Sequence, residues 1–370
     1  MMLVHPQVSI IVPVYNCGAR TEFSMLVESA LGQSFGDFEL ILCDDGSEDN
    51  TLEICRMFAR KDPRVKVVGC PHSGVSATRN TGIEHATGRW ITFVDADDRL
   101  LPEFLAALVS HGERAEEIDL VFGSYAIAGR NGCGLKVFHP GVWRGKEEIR
   151  NLLCVASVLE RCSPWAKLFR RSVVMDNGLR FDTRLSHSED RHFIYRYLRN
   201  VRGIALSGTV GYVYGDFSGA SLKYRKHSPE KLLLRQRLIT EEGMALLRHY
   251  AVPAENSFGV GRNLMHLLQD ACVAIGESSA DMSQKIMAQK ELREMCMGHD
   301  TGSVILADER TVAFVRKSLW LPKIINGNLK DFNRRLNAMR RSVKVKQKIK
   351  QILGFKDAVG CFESCIDVLN

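Results

Sequence analysis

Acidic residues at the end of a short apolar run are the first chemically informative feature of this chain. The run from Trp90 to Val94 is rich in β-branched and aromatic residues, which predicts a buried strand. Three carboxylates follow it, at Asp95, Asp97 and Asp98. Because an unpaired charge is costly to bury, we expect these acids at the carboxyl end of the strand, where open α/β sheets bind ligands. Asp95 and Asp97 would project in nearly the same direction, which suits a divalent cation with oxygen ligands.

The same acids also have a purely structural interpretation. They could belong to a turn whose carboxylates cap the helix that is predicted to begin near Pro102. Asp-x-Asp is a common spacing, so the motif alone does not decide between the two interpretations. The elements around it are therefore needed.

Strands alternate with helices over the first part of the chain. Strands are predicted at 8–14, 38–43, 65–68, 90–94 and 120–126, with helical spacing of apolar residues between them. This order is typical of βαβ units, so the fold class is α/β with a mostly parallel sheet flanked by helices. Right-handed crossovers place the carboxyl ends of the strands along one edge, which collects Tyr15, Asp44, Asp45, Asp95 and Asp97.

A further acidic pair begins a later predicted helix. Ser188, Glu189 and Asp190 precede the apolar positions of a helix that extends to Leu198. Ser188 could be its N-cap, and acids are favoured at the positive end of a helix, which is a structural explanation for the pair. The alternative is that one of the two carboxylates is a general base.

Common nucleotide-binding motifs are missing from the sequence. No G-x-G-x-x-G follows the first strand, which argues against a dinucleotide site, and no P-loop motif is present. The eleven cysteines form no C-x-x-C pair, so free thiols in a reducing cytosol are expected. No apolar run approaches the ~20 residues needed to cross a bilayer, and no signal peptide precedes the first strand, so we expect a cytoplasmic protein.

The character of the chain changes after about residue 226. Helices are predicted at 229–249, 261–275 and 281–297, and a basic segment follows. The predicted divisions are therefore a catalytic domain at 1–226, a helical C-terminal region at 227–330 and a basic tail at 331–370. Nine Lys or Arg and no acid lie between 334 and 356, whereas the net charge of the whole chain is +7. The rest of the chain therefore carries a small net negative charge.

The basic tail suggests a membrane partner. Apolar residues interrupt the basic ones at partly helical spacing, so the tail could lie on an anionic membrane surface at the inner face of the plasma membrane. The alternative is a solvated helix or a disordered basic segment.

Five motifs in this order resemble the catalytic domain of glycosyltransferase family 2, which has the GT-A fold. The resemblance covers some 200 residues, roughly the first two thirds of the chain. Its motifs are Ile11-Val-Pro-Val-Tyr-Asn16, Asp44-Asp-Gly-Ser47, Gly74-Val-Ser-Ala-Thr-Arg-Asn-Thr-Gly82, Gly88-Arg-Trp-Ile-Thr-Phe-Val-Asp-Ala-Asp-Asp98 and Ser188-Glu-Asp190. The resemblance implies transfer of a sugar from a nucleotide donor, often a UDP-sugar, to an acceptor hydroxyl with inversion. It also suggests a glycan or lipid-linked acceptor in bacterial surface polysaccharide or glycolipid synthesis.

The resemblance also implies roles for residues that bind the donor. Pro13 and Tyr15 would flank the nucleotide base, and Asp45 or its neighbour Asp44 would hydrogen-bond it. Arg79 would lie near the donor phosphates or the sugar. The resemblance implies other residues for metal binding and proton removal.

For the metal, the resemblance implies Mg²⁺ or Mn²⁺ held by Asp95 and Asp97, with Asp97 the more direct ligand. Asp190 would be the general base, with Glu189 as the second choice.

The sequence departs from the family pattern in three places. Many relatives carry an acid soon after Tyr-Asn, where this chain has Cys17 to Arg20. Some have Asn at the position of His72, which weakens a role for His72 in binding the base. Ala166 replaces the Asn of a Trp-Asn-Lys-Leu stretch that is common in relatives.

Two other functions are weighed against this one. A sugar-nucleotide pyrophosphorylase would show a Gly-rich basic loop after its first strand, and the residues from Pro13 to Gly18 do not match such a loop. A nucleic-acid-binding protein would explain the basic tail but not the acids at one sheet edge, which would repel phosphate. No nucleic-acid partner is therefore expected.

Overall fold

The structure is a computed structural model that describes residues 5–129, 132–154, 158–159, 162–216, 228–277 and 281–297, together with residues 301 and 304. The strands are β1 (Val8–Val14), β2 (Phe38–Asp44), β3 (Val65–Gly69), β4 (Trp90–Phe93), β5 (Arg99–Leu100), β6 (Ile118–Gly129), β7 (Gly132–Lys136), β8 (Gly141–Arg144), β9 (Lys167–Arg170) and β10 (Gly203–Asp216). The helices are α1 (Thr21–Leu31), α2 (Thr51–Lys61), α3 (Val75–His85), α4 (Phe104–Gly112), α5 (Gly145–Cys154), α6 (Arg171–Asp176), α7 (Glu189–Leu198), α8 (Pro229–His249), α9 (Phe258–Glu277) and α10 (Met282–Met297).

The described strands form one mixed sheet flanked by helices. Its order is β3-β2-β1-β4-β9-β6-β10-β5, with β7 added beside β6 and β8 beside β10. The half from β3 to β4 is entirely parallel, as the alternation of strands and helices predicts. In the other half, β9 runs antiparallel to both of its neighbours, so it joins the parallel half to the pair β6 and β10.

Burial explains the composition of the parallel half. Strand β2 is buried along its whole length and β1 at every residue except Pro13, which is typical of strands covered on both faces. Helix α1 turns Phe23, Leu26 and Ala30 toward the core, at the spacing of one helical face. The apolar residues of these two strands and of this helix face are therefore used in packing.

One glycine sets how closely α3 lies on the sheet. A Cβ atom at Gly82 would lie 2.3 Å from Ile11 Cγ2 and 3.2 Å from Cys43 Sγ. The absence of a side chain there lets the helix approach β1 and β2 closely. This approach fixes the position of Arg79, which lies one turn earlier on the same helix.

The described part of the helical region packs on the sheet domain through α7. One hydrophobic cluster joins residues of the sheet with apolar residues of α8, α9 and α10. A hydrogen bond of 2.6 Å from Tyr250 Oη to the carbonyl oxygen of Leu198 ties the end of α8 to the end of α7. Helix α7 is thus held between the sheet and the helical region.

Some predictions lie outside the described residues. The basic tail is among them, and so is most of the boundary predicted near residue 226, so both stay predictions from the sequence. Within the residues described, no helix is both long enough and apolar enough to cross a bilayer.

Candidate active site

The loops that follow β1 and β2 form one hydrogen-bonded unit. Val14 lies opposite Asp44 in the parallel register, so the two loops leave the sheet side by side. The backbone amide of Cys17 donates to Thr51 Oγ1 over 2.7 Å, and the amide of Gly18 donates to Asp49 Oδ2 over 2.9 Å. These bonds fix the loop that carries Tyr15.

Tyr15 forms an aromatic platform with His72. The two rings are stacked, with centroids 4.3 Å apart and an angle of 22° between their planes. His72 Nδ1 lies 2.9 Å from Asp45 Oδ2, and Tyr15 is more than a third exposed. The sequence argued against a role for His72, but the structure places it beside both Tyr15 and Asp45.

The two acids after β2 have different surroundings. The Asp45 carboxylate accepts hydrogen bonds from the backbone amides of Ser73 (2.8 Å) and Gly74 (3.0 Å). Asp44 Oδ2 accepts the amide of Ser47, whereas Asp44 Oδ1 is buried without a hydrogen-bond partner among the described residues. Asp45 thus also organises the turn before α3.

Arg79 connects two motifs that are far apart in the sequence. Its Nη2 donates to Asp95 Oδ1 over 2.8 Å, and its Nη1 donates to Glu189 Oε1 over 2.9 Å. The arginine is buried, so its pair with the buried Glu189 is shielded from water, whereas Asp95 is partly exposed. The structure therefore brings the Asp-x-Asp loop next to the start of α7, which carries Asp190.

Asp95 and Asp97 have the donor set of a divalent cation. Asp97 is half-buried, and burial together with the charge of Asp95 raises the pKa of its carboxyl to about 6. A bound cation would relieve this repulsion, and carboxylate oxygens are ligands that Mg²⁺ and Mn²⁺ accept. Within the described residues, no group of three or more His, Cys, Asp or Glu is arranged to hold a metal ion.

Asp98 differs from the two acids before it. It is only 3% exposed, and its two oxygens accept bonds from Tyr212 Oη and from the amide of Gly215. The sequence noted Asp98 as a third acid after β4 but gave no sign of its partners. Both partners lie more than 100 residues further along the chain.

Asp190 lies in the first turn of α7. Ser188 is the N-cap residue of this helix, as predicted, but it has a φ of 68° and its side chain makes no capping hydrogen bond. Asp190 Oδ1 accepts the amide of Arg191 over 2.6 Å. Burial raises the pKa of the Asp190 carboxyl above its ordinary value, although the charge of Arg191 opposes the shift.

Glu189 lies beside Asp190 but is tied to Arg79. Burial, followed by the negative charge of Asp190, raises the pKa of the Glu189 carboxyl to about 7. Two neighbouring carboxyls that both resist ionisation are typical of a site that handles protons. Of these two carboxyls, only that of Glu189 accepts a hydrogen bond from Arg79.

Lys167 is a buried cation near Asp190 that the sequence noted only as part of a motif. Its Nζ donates to the carbonyl oxygen of Ser163 over 2.6 Å and lies 5.0 Å from the centre of the Phe122 ring. Burial lowers the pKa of this lysine to about 8. Trp165, two residues earlier, stacks on Tyr212.

Comparisons with known proteins agree with this fold. The family described as "Glycosyl transferase family 2" matches residues 9–178. The putative glycosyltransferase EpsH of Bacillus subtilis (strain 168) is 30% identical over 244 residues, which are 65% of this chain and 67% of EpsH. The poly(ribitol-phosphate) beta-N-acetylglucosaminyltransferase TarP of Staphylococcus aureus (strain N315) is 29% identical over 223 residues, which are 58% of this chain and 65% of TarP.

Solved structures support the same fold. The crystal structure of residues 1–349 of TarS from S. aureus superposes with a TM-score of 0.62 at 20% identity, covering 84% of this chain and 91% of that one. The same fragment has been solved with UDP-GlcNAc, and that complex superposes with a TM-score of 0.58 at 21% identity, covering 83% of this chain and 92% of that one.

Together, the fold and these relatives define a glycosyltransferase of the GT-A fold. The chain belongs to glycosyltransferase family 2. This membership favours sugar transfer over the pyrophosphorylase and nucleic-acid-binding alternatives.

Proposed function

We propose that this enzyme transfers a hexosyl or N-acetylhexosaminyl group from a UDP-sugar to an acceptor hydroxyl with inversion, using Mg²⁺ or Mn²⁺. The observation that carries the proposal is the contact of Arg79 with both Asp95 and Glu189, over 2.8 and 2.9 Å. It joins the acids proposed for the metal with the helix that carries the proposed base. A site for donor cleavage and a site for acceptor activation are thereby adjacent.

The donor would bind along the edge formed by the loops after β1, β2 and β4. Tyr15 offers an exposed aromatic ring on which a uracil ring can stack, and Pro13 lies near the end of β1, two residues before it. Asp45 is the proposed acceptor for a base N–H, with Asp44 as the alternative. The Arg79 guanidinium can also interact with the diphosphate, since its several N–H donors can bind more than one anionic partner.

Asp97 and Asp95 are the residues that would hold the cation. When bound, a divalent cation supplies charge neutralisation for the diphosphate that leaves. The two carboxylates lie on one short turn, so this chain contributes a compact pair of oxygen ligands there.

Asp190 is the proposed general base. Its carboxylate would take the proton of the acceptor hydroxyl as the oxygen attacks the anomeric carbon. Attack on the face opposite the leaving diphosphate gives inversion. The raised pKa of Asp190 fits this role, because a carboxyl that is harder to ionise is a stronger base.

The similarity to TarP supports the substrate class. TarP is named for the transfer of N-acetylglucosamine to a poly(ribitol-phosphate). We propose that the acceptor here is likewise a hydroxyl of a bacterial surface polysaccharide or glycolipid.

A donor screen tests the proposal. The purified full-length protein is incubated with a panel of nucleotide sugars and Mn²⁺ or Mg²⁺, and released nucleotide is measured without and with glycan acceptors. We expect turnover of a UDP-sugar that chelation abolishes, and the Asp97→Ala variant should lose it while its circular dichroism spectrum is unchanged. Near-normal, metal-dependent turnover by Asp97→Ala would show that the metal assignment is wrong.

A further inference from the structure

We propose that Tyr212 is a positioning residue: with Asp98, its hydroxyl holds the turn from Asp95 to Asp98 in the geometry that binds the divalent cation. The inference rests on the proposed function, because it concerns the ligands assigned there to the metal. None of the five motifs of the family contains Tyr212. It lies in the middle of β10, more than 100 residues after the acids.

The Tyr212 hydroxyl bonds to two residues of the turn. It donates its proton to Asp98 Oδ2 and accepts the backbone amide of Asp95 over 3.3 Å. A second bond crosses the turn itself, from the amide of Asp98 to the carbonyl oxygen of Asp95 over 3.2 Å. One phenol therefore touches the first and last residues of the segment that carries both proposed ligands.

The other oxygen of Asp98 is used as well. Asp98 Oδ1 accepts the amide of Gly215 over 2.8 Å, so both of its oxygens face β10 rather than the donor edge. Asp98 is also almost completely buried. The structure thus assigns Asp98 to the support of the turn and leaves Asp95 and Asp97 for the cation.

Tyr212 is itself held rigidly. Its ring stacks on Trp165 with centroids 5.0 Å apart and planes 10° apart, and the edge of Phe104 packs on it at 5.7 Å. In the antiparallel pair of β10 and β5, Tyr212 lies opposite Leu100, two residues after Asp98. A hydroxyl fixed in this way can define the position of the turn to which it bonds.

Loss of the hydroxyl would free the turn without removing a ligand. In Tyr212→Phe the ring and its packing remain, but the amide of Asp95 and one oxygen of Asp98 lose their partner. Supporting hydrogen bonds of this kind typically change metal affinity by ~10–100-fold. We expect Mn²⁺ to bind about 10-fold more weakly in the presence of UDP.

The experiment measures Mn²⁺ binding directly, by electron paramagnetic resonance of free Mn²⁺ in the presence of saturating UDP, with no turnover involved. Tyr250→Phe is the matched control, because Tyr250 is also buried and its hydroxyl also donates a hydrogen bond, to the carbonyl oxygen of Leu198 over 2.6 Å. Thermal unfolding of both variants is recorded. Tyr212→Phe should weaken Mn²⁺ binding, whereas Tyr250→Phe should bind as the wild type does.

Asp98→Asn and the double variant that combines it with Tyr212→Phe complete the test. Asp98→Asn still tests the inference if Tyr212→Phe folds poorly. Asp98→Asn should weaken Mn²⁺ binding about as much as Tyr212→Phe, roughly 10-fold, and the double variant should be no weaker than the worse single one. Much weaker binding by Asp98→Asn alone, with multiplied losses in the double variant, would make Asp98 a direct ligand and overturn the inference. Wild-type affinity in Tyr212→Phe would overturn it too. If the wild type itself binds no Mn²⁺ in the presence of UDP, the metal assignment of the proposed function fails first and this inference falls with it.

Discussion

The donor side and the base side of the site are built in different ways. On the donor side, backbone amides and short side chains within the first 100 residues hold one another, as between Gly18 and Asp49. On the base side, Asp190 is partly buried at the start of α7, and the groups behind it come from distant parts of the chain. The difference suggests that local motifs are enough to specify the loops after β1 and β2, whereas the base, like the turn after β4, depends on tertiary packing.

Asn263 of α9 shows how the helical region takes part on the base side. Its Nδ2 donates to the carbonyl oxygen of Leu159 over 2.8 Å and to Tyr195 Oη over 3.1 Å. Tyr195 belongs to α7, the helix that begins with Glu189 and Asp190. The helical region therefore supports the helix that carries the proposed base.

The largest effect is expected from Asp190→Asn. The amide cannot take a proton from the acceptor hydroxyl, so transfer should fall by at least ~10²-fold, the lower range for loss of a general base. UDP-sugar binding, measured by calorimetry, should stay close to that of the wild type, because the donor loops are untouched. The acid limb of the wild-type pH profile should lie above the ordinary range for aspartate, since burial raises the pKa of Asp190.

Glu189→Gln is the matched comparison for that variant. Gln can still accept the hydrogen bond from Arg79, so we expect a smaller loss of transfer than in Asp190→Asn. If Glu189→Gln is the more damaging of the two, the base is Glu189. A collapse of thermal stability in Asp190→Asn would instead favour a structural role for the acid.

A smaller effect is expected from Asn263→Ala. The change leaves the carbonyl oxygen of Leu159 without its Asn263 partner and the Tyr195 hydroxyl without a donor, which should lower the free energy of unfolding by about 1–3 kcal/mol. Asn256→Ala is the control, because Asn256 is exposed, and a surface change should stay within about 0.5 kcal/mol. Urea denaturation followed by circular dichroism measures both.

The Asn263→Ala variant also tests whether the helical region affects catalysis. If α9 supports α7 as described, Asn263→Ala should lower kcat as well as stability, with little change in UDP affinity. Unchanged kcat in a less stable variant would mean that the contact between the helical region and α7 does not affect catalysis by the proposed base.

Most of the donor side could be predicted from the sequence because its residues follow strand ends. Parallel strands with right-handed crossovers place Tyr15, Asp44 and Asp95 at one edge, whatever the details of packing. The parallel half of the sheet was predictable for the same reason. Strand β9 was not predicted, because it pairs antiparallel between two strands that precede it in the sequence.

The supporting contacts of the site could not be predicted. Tyr212 lies in a strand whose sequence is that of any half-buried strand, and its bonds to the turn after β4 depend on the pairing of β10 with β5. Ser188 is at the predicted N-cap position but makes no side-chain capping bond, because its left-handed conformation turns the backbone before α7 away from the usual capping geometry. Long-range pairing decides both features.

One helix in each region ends in the same left-handed turn, but the residue in that turn differs: it is glycine on the sheet side and alanine in the helical region. After α6 on the sheet side, Gly178 has a φ of 57°, and the amide of Leu179 donates to the carbonyl oxygen of Val174 over 2.9 Å. After α8 in the helical region, Ala251 has a φ of 49°, and the amide of Val252 donates to the carbonyl oxygen of Leu247 over 2.9 Å. Both are left-handed helix ends, at which glycine is favoured.

The smallest expected effect follows from that pair of helix ends. Ala251 is exposed, so Ala251→Gly removes backbone strain without losing buried surface and should stabilise the protein by roughly 0.5–1 kcal/mol, after the extra flexibility of the unfolded chain is counted. Gly178→Ala is the mirror control: a Cβ there would meet no atom within 4 Å, so strain alone should destabilise the protein by a similar amount. If the sheet and the helical region unfold together, both changes shift one common transition, measured by tryptophan fluorescence and by circular dichroism. With the fourth tryptophan, Trp320, replaced by Phe, fluorescence reports on the sheet-side tryptophans Trp90, Trp143 and Trp165. A fluorescence shift seen in that background for Gly178→Ala but not for Ala251→Gly would mean that the helical region unfolds separately and cannot stabilise α7.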